Sequence, residues 1–242
     1  INLPVLDDAE RARVGTIYTQ ESPFKARRLG AALVSANTAN HLQTALADKP
    51  KGFSALVYCW RGGMRSNAFA TVLAAVGWRI AVLDGGYRTW RRTVAAGLDA
   101  APPGLDLVQV DGRTGTAKTE VLHALAGRGE QVIDLEGLAN HRGSAFGAFQ
   151  DRDQPSQKAF ESALWTVMRR FDPARRVYVE AESSLVGRRR VPNALWSAMK
   201  HAPRVEIAAP IETRAEFLAR AYADIASDAD TLKSAIEKLR GL

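Results

Sequence analysis

The sequence predicts an α/β protein with two domains, each built on a parallel β-sheet with helices on both faces. Short apolar strands alternate with helical stretches over residues 55–98, and the same alternation restarts at residue 105. Between the two series, residues 99–104 have the composition of a linker, Asp-Ala-Ala-Pro-Pro-Gly. With 46% hydrophobic residues, a chain of 242 residues can bury two cores. We therefore expect domains over residues 1–98 and 105–242.

The elements of the first domain follow from a cap and from apolar spacing. A serine cap and leucines at helical spacing predict a helix over residues 22–47, with a break near residues 37–40. Apolar runs predict strands at residues 55–58 and 80–83. Between these strands, apolar side chains on one face predict a helix that Gly77 closes.

The second domain repeats the alternation. Apolar runs predict four strands, at residues 105–110, 131–135, 176–179 and 204–208. A helix is expected from residue 155 to about residue 171, because its apolar side chains lie on one side. Residues 211–242 are expected to form two helices with a break near Ser227 and Asp228.

The net charge of +7 is unevenly distributed along the chain. Residues 1–100 carry 13 Lys and Arg against 7 Asp and Glu, and the remaining residues carry 20 against 19. Of the 33 basic residues 25 are arginine, whose planar side chain pairs with phosphate and stacks on bases. The excess favours an anionic partner such as nucleic acid. An arginine-rich solvated surface is the alternative that charge alone leaves open.

The single cysteine, Cys59, excludes an internal disulfide framework and a multi-cysteine zinc site, and it indicates a reducing compartment. No apolar run is long enough to span a bilayer, and no signal-peptide pattern opens the chain. We expect a soluble, cytoplasmic protein with no membrane partner. Since the first residue is Ile1, we also expect the N-terminal domain to be incomplete.

Cys59 stands where the first strand runs into a loop and then a helix. The loop, residues 59–65, reads Cys-Trp-Arg-Gly-Gly-Met-Arg. A helix start supplies unpaired N–H groups and the positive end of the dipole, glycines let the backbone curl around the sulfur, and Arg61 and Arg65 add charge. All three favour the thiolate, so we predict Cys59, Arg61 and Arg65 as catalytic residues. A buried, inert cysteine is the alternative.

The spacing of this loop is compatible with more than one chemistry. Common single-domain sulfurtransferases resemble Cys-x-x-Gly-x-Arg, whereas here Arg65 lies one residue further from Gly62. The interval equals the Cys-x5-Arg of cysteine phosphatases, which generally have histidine where this chain has Tyr58. A longer loop makes a wider ring of N–H donors. It fits a thiolate that meets a phosphate-like donor, and it leaves the reaction open.

A second loop, residues 112–119, follows the first strand of the second domain and reads Gly-Arg-Thr-Gly-Thr-Ala-Lys-Thr. This is a phosphate-binding loop in which Ala117 replaces the glycine that normally precedes the lysine. Backbone N–H groups and a helix start bind phosphate oxygens, the lysine adds charge, and a hydroxyl can ligate magnesium. The methyl group costs little unless φ is positive, in which case it crowds the phosphates. The predicted phosphate-binding residues are Gly112, Thr114, Gly115, Lys118 and Thr119.

Acidic side chains follow the next strands, at the edge where carboxylates near a phosphate loop hold metal-bound water. Residues 141–144, which lie between these acidic positions in the sequence, combine an imidazole, a guanidinium group and a hydroxyl. Strand ends are polar in any case, and a histidine beside an arginine is common on surfaces, so both readings stay open. No definite metal set is predicted. The expected substrate- or metal-directed residues are Asp134, Glu136, His141, Arg142, Ser144, Glu180 and Glu182.

These motifs occur together, in one order, in a known family. They are the cysteine loop with Ser66, the sequence Leu-Asp-Gly-Gly-Tyr at residues 83–87, the phosphate loop, residues 134–144 and Pro-Ser-Gln at residues 155–157. Together they resemble the bacterial tRNA 2-selenouridine synthases, over nearly the full chain. The resemblance implies a rhodanese-like parallel-sheet domain, N-terminally incomplete, followed by a P-loop NTPase-like α/β domain. The chain departs from the family at Ala117, and at Ala181 and Ser184, where the family usually has aspartate and arginine.

By this resemblance, the protein acts on the wobble 2-thiouridine of tRNA in two steps. Geranyl diphosphate first alkylates the sulfur, and selenium from selenophosphate then replaces it. Cys59 would carry the selenium as a Cys-Se adduct, and the phosphate loop would hold the diphosphate of the geranyl donor. The expected partners are therefore tRNA, selenophosphate and geranyl diphosphate. No cofactor is expected to be bound permanently, and magnesium is an expected accompanying ion.

Two other functions stay open at this point. Lys118, Thr119 and Asp134 also fit an ATP-dependent kinase or sulfur-transfer enzyme that acts on tRNA or on a small phosphorylated substrate. tRNA-stimulated ATPase activity would support that function. The third function is a non-catalytic tRNA-binding module, for which a Cys59→Ser variant would behave like the parent in every assay.

Overall fold

The structure is a computed structural model that describes residues 1–144, 147–149 and 151–223. The chain divides into two compact units, residues 1–92 and 93–242. Their parallel strands and covering helices confirm the predicted α/β class. In the part of the chain that the structure describes, no helix combines the length and the apolar composition that a membrane span requires.

The first unit is built around two parallel strands. Its elements, in chain order, are α1 (Asp8–Gln20), α2 (Pro23–Gln43), β1 (Ser54–Val57), α3 (Met64–Ala75), β2 (Arg79–Val82) and the start of α4 (Gly86–Ala100). Ser54 pairs with Arg79 and Val57 with Val82. A core of apolar side chains joins the N-terminal segment to α3 and to the residues beside the strands. The buried members of this core are Val5, Leu46, Phe69, Leu73 and Trp78.

The predicted break near residues 37–40 is wrong, because α2 runs without interruption from Pro23 to Gln43. Asparagine side chains often compete with the helix backbone for hydrogen bonds. Here the Asn37 side chain instead donates to the carbonyl oxygen of Val5 at 3.2 Å and to Glu10 at 2.7 Å. These contacts with the preceding segment leave the helical backbone bonds of α2 intact.

The second unit contains a four-stranded parallel sheet in the order β4-β5-β3-β8. Four of the five residues of β3 are buried, as expected for an inner strand covered on both faces. The elements that complete the unit are β3 (Leu107–Asp111), α5 (Lys118–Gly127), β4 (Gln131–Ile133), α6 (Leu135–Ala139), α7 (Gln157–Met168), β5 (Val177–Glu180), β6 (Leu185–Val186), β7 (Arg189–Arg190), α8 (Asn193–His201), β8 (Arg204–Glu206) and α9 (Ile211–Ala221).

All four predicted strands are present, with shifted ends. The strand expected to reach residue 135 stops at Ile133, because Asp134 caps a short helix that begins at Leu135. Pro102–Gly104, in the expected linker, forms one turn of 3-10 helix. The predicted break near Ser227 and Asp228 lies outside the described residues.

The order of the strands determines where ligands can bind in this unit. Strand β3 lies between β5 and β8, and the loops after β3, β4 and β5 all leave the same edge of the sheet. Ligands of open α/β sheets bind at the carboxyl ends of the strands. The phosphate loop and the two acidic segments therefore meet there.

Candidate functional site

The cysteine loop joins β1 to α3. The Sγ atom of Cys59 accepts a hydrogen bond from the N–H of Gly63 at 3.4 Å and contacts the Ser66 hydroxyl at 3.4 Å. The same hydroxyl donates to the carbonyl oxygen of Gly63 at 3.0 Å. Because a hydroxyl has one proton to donate, Ser66 can turn from the carbonyl to the sulfur when the sulfur ionises.

These contacts lower the pKa of the Cys59 thiol. Burial of the half-exposed side chain alone raises the pKa, because it disfavours the charged form. The Ser66 hydroxyl and the backbone N–H groups of Gly63, Arg61 and Ser66 outweigh burial and bring the pKa to about 7. A large share of the sulfur is therefore thiolate, the nucleophilic form, at neutral pH.

The arginines of the loop contribute differently from the expectation that their charges stabilise the thiolate. Arg61 contributes through its backbone N–H, while its side chain is exposed. Arg65 is half-buried and lines the cavity beside Cys59. Within the described part of the chain, the groups that lower the pKa are neutral donors. Both guanidinium groups are therefore available for an anionic substrate.

The turn between β2 and α4, together with the first residues of α4, fixes the cysteine loop from the other side. The N–H of Tyr87 donates to the carbonyl oxygen of Cys59 at 2.9 Å. Gly62 and Gly86 both have a φ of 60°, and a Cβ atom on either would contact the backbone of the other. Only glycine allows this approach, so the loop and the turn hold each other in one conformation.

A cavity of about 790 Å³ opens beside the cysteine loop. Cys59, Arg65 and Ser66 line it, together with residues 1–6 and strand β1. Arg61 is not among the described residues that line this cavity. The cavity therefore gives small molecules access to the loop from the side of Arg65.

The phosphate loop of the second unit joins β3 to α5. Lys118 begins α5, and its Nζ donates to the carbonyl oxygen of Gly112 at 2.8 Å. Arg214, on α9, donates through Nε to the carbonyl oxygen of Thr114 at 3.0 Å. A phosphate offers the ammonium group a charged acceptor in place of this neutral one, which makes a stronger hydrogen bond.

Ala117 has a left-handed backbone, with φ 60° and ψ 35°. This is the case in which the sequence predicts crowding by the methyl group, because the position favours glycine. The loop keeps the glycine-type conformation although its residue is alanine. Strain is therefore located directly before Lys118.

Glu136 and Glu182 form a hydrogen-bonded pair of carboxyl groups beside the phosphate loop. The Thr119 hydroxyl donates to Glu136 at 3.1 Å. Burial raises the pKa of both carboxyl groups, and the contact with Glu136 helps to bring the pKa of Glu182 to about 8, against the opposing charge of Lys118. The pair therefore holds a proton at neutral pH.

The other two predicted acidic residues, Asp134 and Glu180, accept hydrogen bonds from backbone N–H groups of α6, which follows β4. Asp134 accepts from the N–H of Gly137 at 2.6 Å and lies 2.8 Å from the Nε2 atom of His123. Glu180 is fully buried, and one of its oxygens accepts from the N–H of Leu135 at 2.7 Å. Burial, together with the nearby acidic groups, raises the pKa of Glu180 well above its ordinary value, which favours the neutral form of this carboxyl group.

The segment after α6 brings its three predicted residues to the same region. His141 Nδ1 accepts from the N–H of Gly143 at 3.1 Å, and burial and the charge of Arg142 lower the pKa of the imidazole, which favours its neutral form. The guanidinium carbon of Arg142 lies 5.0 Å from the centre of the Tyr222 ring. The Ser144 hydroxyl lies 2.6 Å from the Tyr222 hydroxyl.

A cavity of about 380 Å³ collects most of the residues predicted in this unit. Gly112 and Glu180 are not among the described residues that line it, because the first lies at the start of the loop and the second is buried behind Asp134. The predicted residues that line it are Thr114, Gly115, Lys118, Thr119, Asp134, Glu136, His141, Arg142, Ser144 and Glu182.

Another part of the same cavity is apolar, and the sequence did not predict it. Four of its side chains come from α9 and its cap, at i, i+1, i+4 and i+5, which is the spacing of one helix face. That spacing is visible in the sequence, but the cavity it faces is not. The apolar and aromatic lining residues are Phe149, Phe217, Leu218, Ala221 and Tyr222.

The cavity therefore combines polar residues of the phosphate loop with apolar walls. Over residues 1–144, 147–149 and 151–223, no group of three or more His, Cys, Asp or Glu side chains could hold a metal ion. The Thr119 and Glu136 oxygens are nevertheless of the type that Mg²⁺ binds, so their chemistry fits that ion.

Two matches to family models cover most of the chain. Residues 105–239 match the model described as the tRNA 2-selenouridine synthase AAA domain. The chain belongs to the tRNA 2-selenouridine synthase family. Residues 25–93 match the model of the Rhodanese-like domain. The family resemblance of the sequence motifs is thereby confirmed.

Curated relatives agree with this assignment. Proteins named tRNA 2-selenouridine synthase are similar to this chain in Psychromonas ingrahamii (36% identity, covering 94% of this chain and 61% of the relative), in Hydrogenovibrio crunogenus (35% identity, 99% and 69%) and in Aeromonas salmonicida (38% identity, 91% and 59%). The chain thus spans about three fifths of the length of most of these relatives.

Proposed function

We propose that the protein converts the wobble 2-thiouridine of tRNA to 2-selenouridine, in the cytoplasm. The observation that carries this proposal is the Cys59 thiol, whose pKa of about 7 makes it a nucleophile at neutral pH. It lies half-exposed beside a cavity whose wall includes Arg65. A soft nucleophile next to a guanidinium group suits a donor that carries selenium on a phosphate group.

Alkylation of the base sulfur is assigned to the second unit. The phosphate loop, with Lys118, would bind the diphosphate of geranyl diphosphate, and the apolar wall that includes Phe217 and Leu218 would bind its hydrocarbon chain. The sulfur of 2-thiouridine attacks the first carbon of the geranyl group. A carbon–sulfur bond forms, the carbon–oxygen bond breaks, and diphosphate leaves with the electron pair. Thr119 and Glu136 would bind a magnesium ion that accompanies the diphosphate.

Selenium transfer is assigned to Cys59. The thiolate attacks the selenium of selenophosphate, so that an Sγ–Se bond forms and the Se–P bond breaks with its electron pair on phosphorus, as phosphite. The bound selenium then attacks C2 of the alkylated base and displaces geranyl thiolate. A low-molecular-weight thiol attacks Sγ and releases 2-selenouridine, and a second thiol reduces the mixed disulfide on Cys59.

Intact-mass spectrometry of the chain after incubation with selenophosphate tests the role of Cys59. The parent is expected to gain one selenium, and the Cys59→Ser variant none. Equal selenium uptake by the two proteins would overturn the assignment, as would the absence of uptake by the parent. If the parent hydrolyses ATP in the presence of tRNA and does not bind geranyl diphosphate, the ATP-dependent alternative is favoured.

A further inference from the structure

Three aromatic rings gather at the cysteine loop without any role in the proposed chemistry. Tyr58 precedes Cys59 and Trp60 follows it, while Tyr87 lies in the first turn of α4. The rings of Tyr58 and Tyr87 are stacked, with centres 6.5 Å apart and planes at 22°. Those of Trp60 and Tyr87 lie 5.4 Å apart at 35°. We call these three residues the aromatic cluster.

Two rings of the aromatic cluster are exposed, and the third, Tyr87, is half-buried, although the unit has a core that could take such side chains. Tyr58 is 57% exposed and Trp60 is 51% exposed, whereas Phe69 and Trp78 are buried. Large rings grouped on a surface indicate a binding site more often than single exposed ones do. Their shared orientation presents flat faces, the geometry in which aromatic side chains stack on unpaired bases.

The backbone holds the aromatic cluster in a fixed place relative to Cys59. The N–H of Tyr87 donates to the carbonyl oxygen of Cys59 at 2.9 Å, and the N–H of Arg88 donates to that of Trp60 at 3.1 Å. These two bonds join the cysteine loop to the start of α4, which carries Tyr87. A ligand stacked on the rings is therefore bound by the same backbone segments that position the sulfur.

Exposed arginines follow two members of the aromatic cluster in the sequence. Arg61 directly follows Trp60 and Arg88 directly follows Tyr87, and both side chains are exposed. Neither forms an ion pair with a carboxylate of a described residue. Residues 1–100 also carry most of the net positive charge of the chain. Flat rings with exposed arginines at the next positions of the chain match the bases and phosphates of a single-stranded nucleic acid.

We propose that the aromatic cluster is a stacking surface for unpaired bases of an RNA loop, with Arg61 and Arg88 binding the adjacent phosphates. The inference rests on the proposed function, because it identifies how the loop that contains the substrate base reaches Cys59. Tyr58, Trp60 and Tyr87 are positioning residues in this scheme, since none of them takes part in a bond-forming step.

Binding of a fluorescent RNA to the full chain tests the surface directly. The probe is an anticodon stem–loop with 2-aminopurine in the loop, and the reference RNA has 2-aminopurine in the stem. Stacking is expected to quench the loop probe and to leave the stem probe unchanged. Trp60→Ala is expected to weaken binding about 5- to 150-fold and to abolish the quenching, because one stacked base contributes on that scale.

Control variants separate stacking from a structural effect. Trp60→Phe is expected to restore most of the binding, because it keeps a ring. Phe24→Ala removes a 72% exposed ring on α2 and is expected to bind like the parent. The pH midpoint of Cys59 alkylation is expected to be the same in all three variants. Arg88→Gln is expected to lower the slope of log affinity against log salt by about 0.7.

Some outcomes would overturn the inference. These are parent-like binding by Trp60→Ala, equal quenching of loop and stem probes, or a Trp60→Ala defect accompanied by a shifted Cys59 midpoint. Selective binding of duplex RNA or of a protein in place of the loop would also overturn it. Selenium uptake by Cys59 is measured separately, so a parent that binds the loop probe but takes up no selenium contradicts the proposed function and not the stacking surface.

Discussion

At the scale of single residues, burial raises the pKa of Cys59, and a neutral hydroxyl and backbone amides lower it by more. No charged group is needed for this decrease. The sequence shows the cysteine, the glycines and the arginines, and from these residues we predicted that arginine charge helps to lower the pKa of the thiol. The structure attributes it instead to Ser66 and to three N–H groups. A sequence does not show which side chain one turn into a helix points back at the sulfur, so this contribution of Ser66 was not predicted.

Ser66→Ala tests this explanation. It removes the hydroxyl that lies 3.4 Å from Sγ and is expected to raise the pKa of Cys59 by about one unit, since a hydrogen bond to a charged group contributes at least about 1.5 kcal/mol. The thiolate fraction at pH 7, and the rate of alkylation by iodoacetamide with it, should fall several-fold. The rates should become equal well above the raised pKa, where both proteins are fully ionised.

The pH profile of alkylation provides the measurement, and Ser54→Ala provides the matched control, because Ser54 is an exposed serine of β1. The control is expected to keep the parent midpoint near 7. If both variants keep that midpoint, the hydroxyl is not what lowers the pKa.

A second residue-scale prediction concerns Ala117, whose φ of 60° is unfavourable for any residue with a Cβ atom. Ala117→Gly removes this strain and makes the unfolded chain more flexible, and the net expected gain in the free energy of unfolding is about 0.5–1 kcal/mol. Ala124→Gly, at an exposed position inside α5, is expected to lose about 1 kcal/mol. Urea unfolding checks both signs, and a loss in both variants would refute the strain.

At the scale of elements, hydrophobic periodicity predicted the strands and helices whose formation depends on the local sequence. The strands of both sheets and the helices α2, α3 and α7 were located within a few residues. The β6–β7 hairpin was not predicted, because it forms through distant side chains. Gln154 accepts from the N–H of Arg188 at 2.7 Å, and Gln157 accepts from that of Arg190 at 2.9 Å. Strands of two residues have no periodicity to detect.

The glycine contact between the cysteine loop and the β2–α4 turn leads to a prediction about both elements. A Cβ atom on Gly86 would collide with the carbonyl oxygen of Cys59, and its φ of 60° also disfavours alanine. Gly86→Ala is therefore expected to lower the free energy of unfolding by about 2–4 kcal/mol. The displaced loop should also lose its N–H contacts with the sulfur, which raises the alkylation midpoint.

Gly52→Ala is the matched control, because a Cβ atom there meets nothing within 4 Å. It is expected to change the free energy of unfolding by less than about 0.5 kcal/mol. Urea unfolding and the alkylation profile together provide the measurement. Equal stability of the two variants would mean that the loop and the turn do not depend on each other.

At the scale of the whole molecule, the topology of a parallel sheet made most of the second site predictable. Residues after β3, β4 and β5 had to meet at one edge, so Lys118, Asp134 and Glu182 could be grouped from the sequence alone. The apolar wall from α9 could not be grouped with them, because about 100 residues separate Arg214 from its partner Thr114. Local patterns contain no information on contacts of that range.

Each unit has its own cavity, and this leads to a prediction about the two proposed steps. The pKa of Cys59 depends on Gly63, Arg61 and Ser66, which belong to the first unit. Lys118 contacts Gly112, which belongs to the second unit. The surroundings of each side chain are therefore determined within its own unit. Cys59→Ser is expected to block selenium uptake and to bind geranyl diphosphate like the parent. Lys118→Ala is expected to bind geranyl diphosphate about 10- to 100-fold more weakly, because a charge-assisted hydrogen bond is lost, and to take up selenium normally.

Calorimetric titration with geranyl diphosphate and intact-mass analysis after selenophosphate treatment provide the two measurements on the same preparations. Lys200→Ala is the matched control, because it removes an exposed lysine of α8 that lies outside the residues lining the second cavity. Loss of both properties in either single variant would mean that one unit controls the chemistry of the other. If each variant loses only one of the two properties, the diphosphate is assigned to the phosphate loop and the selenium to the cysteine loop. The property that each variant keeps then shows that its fold is intact.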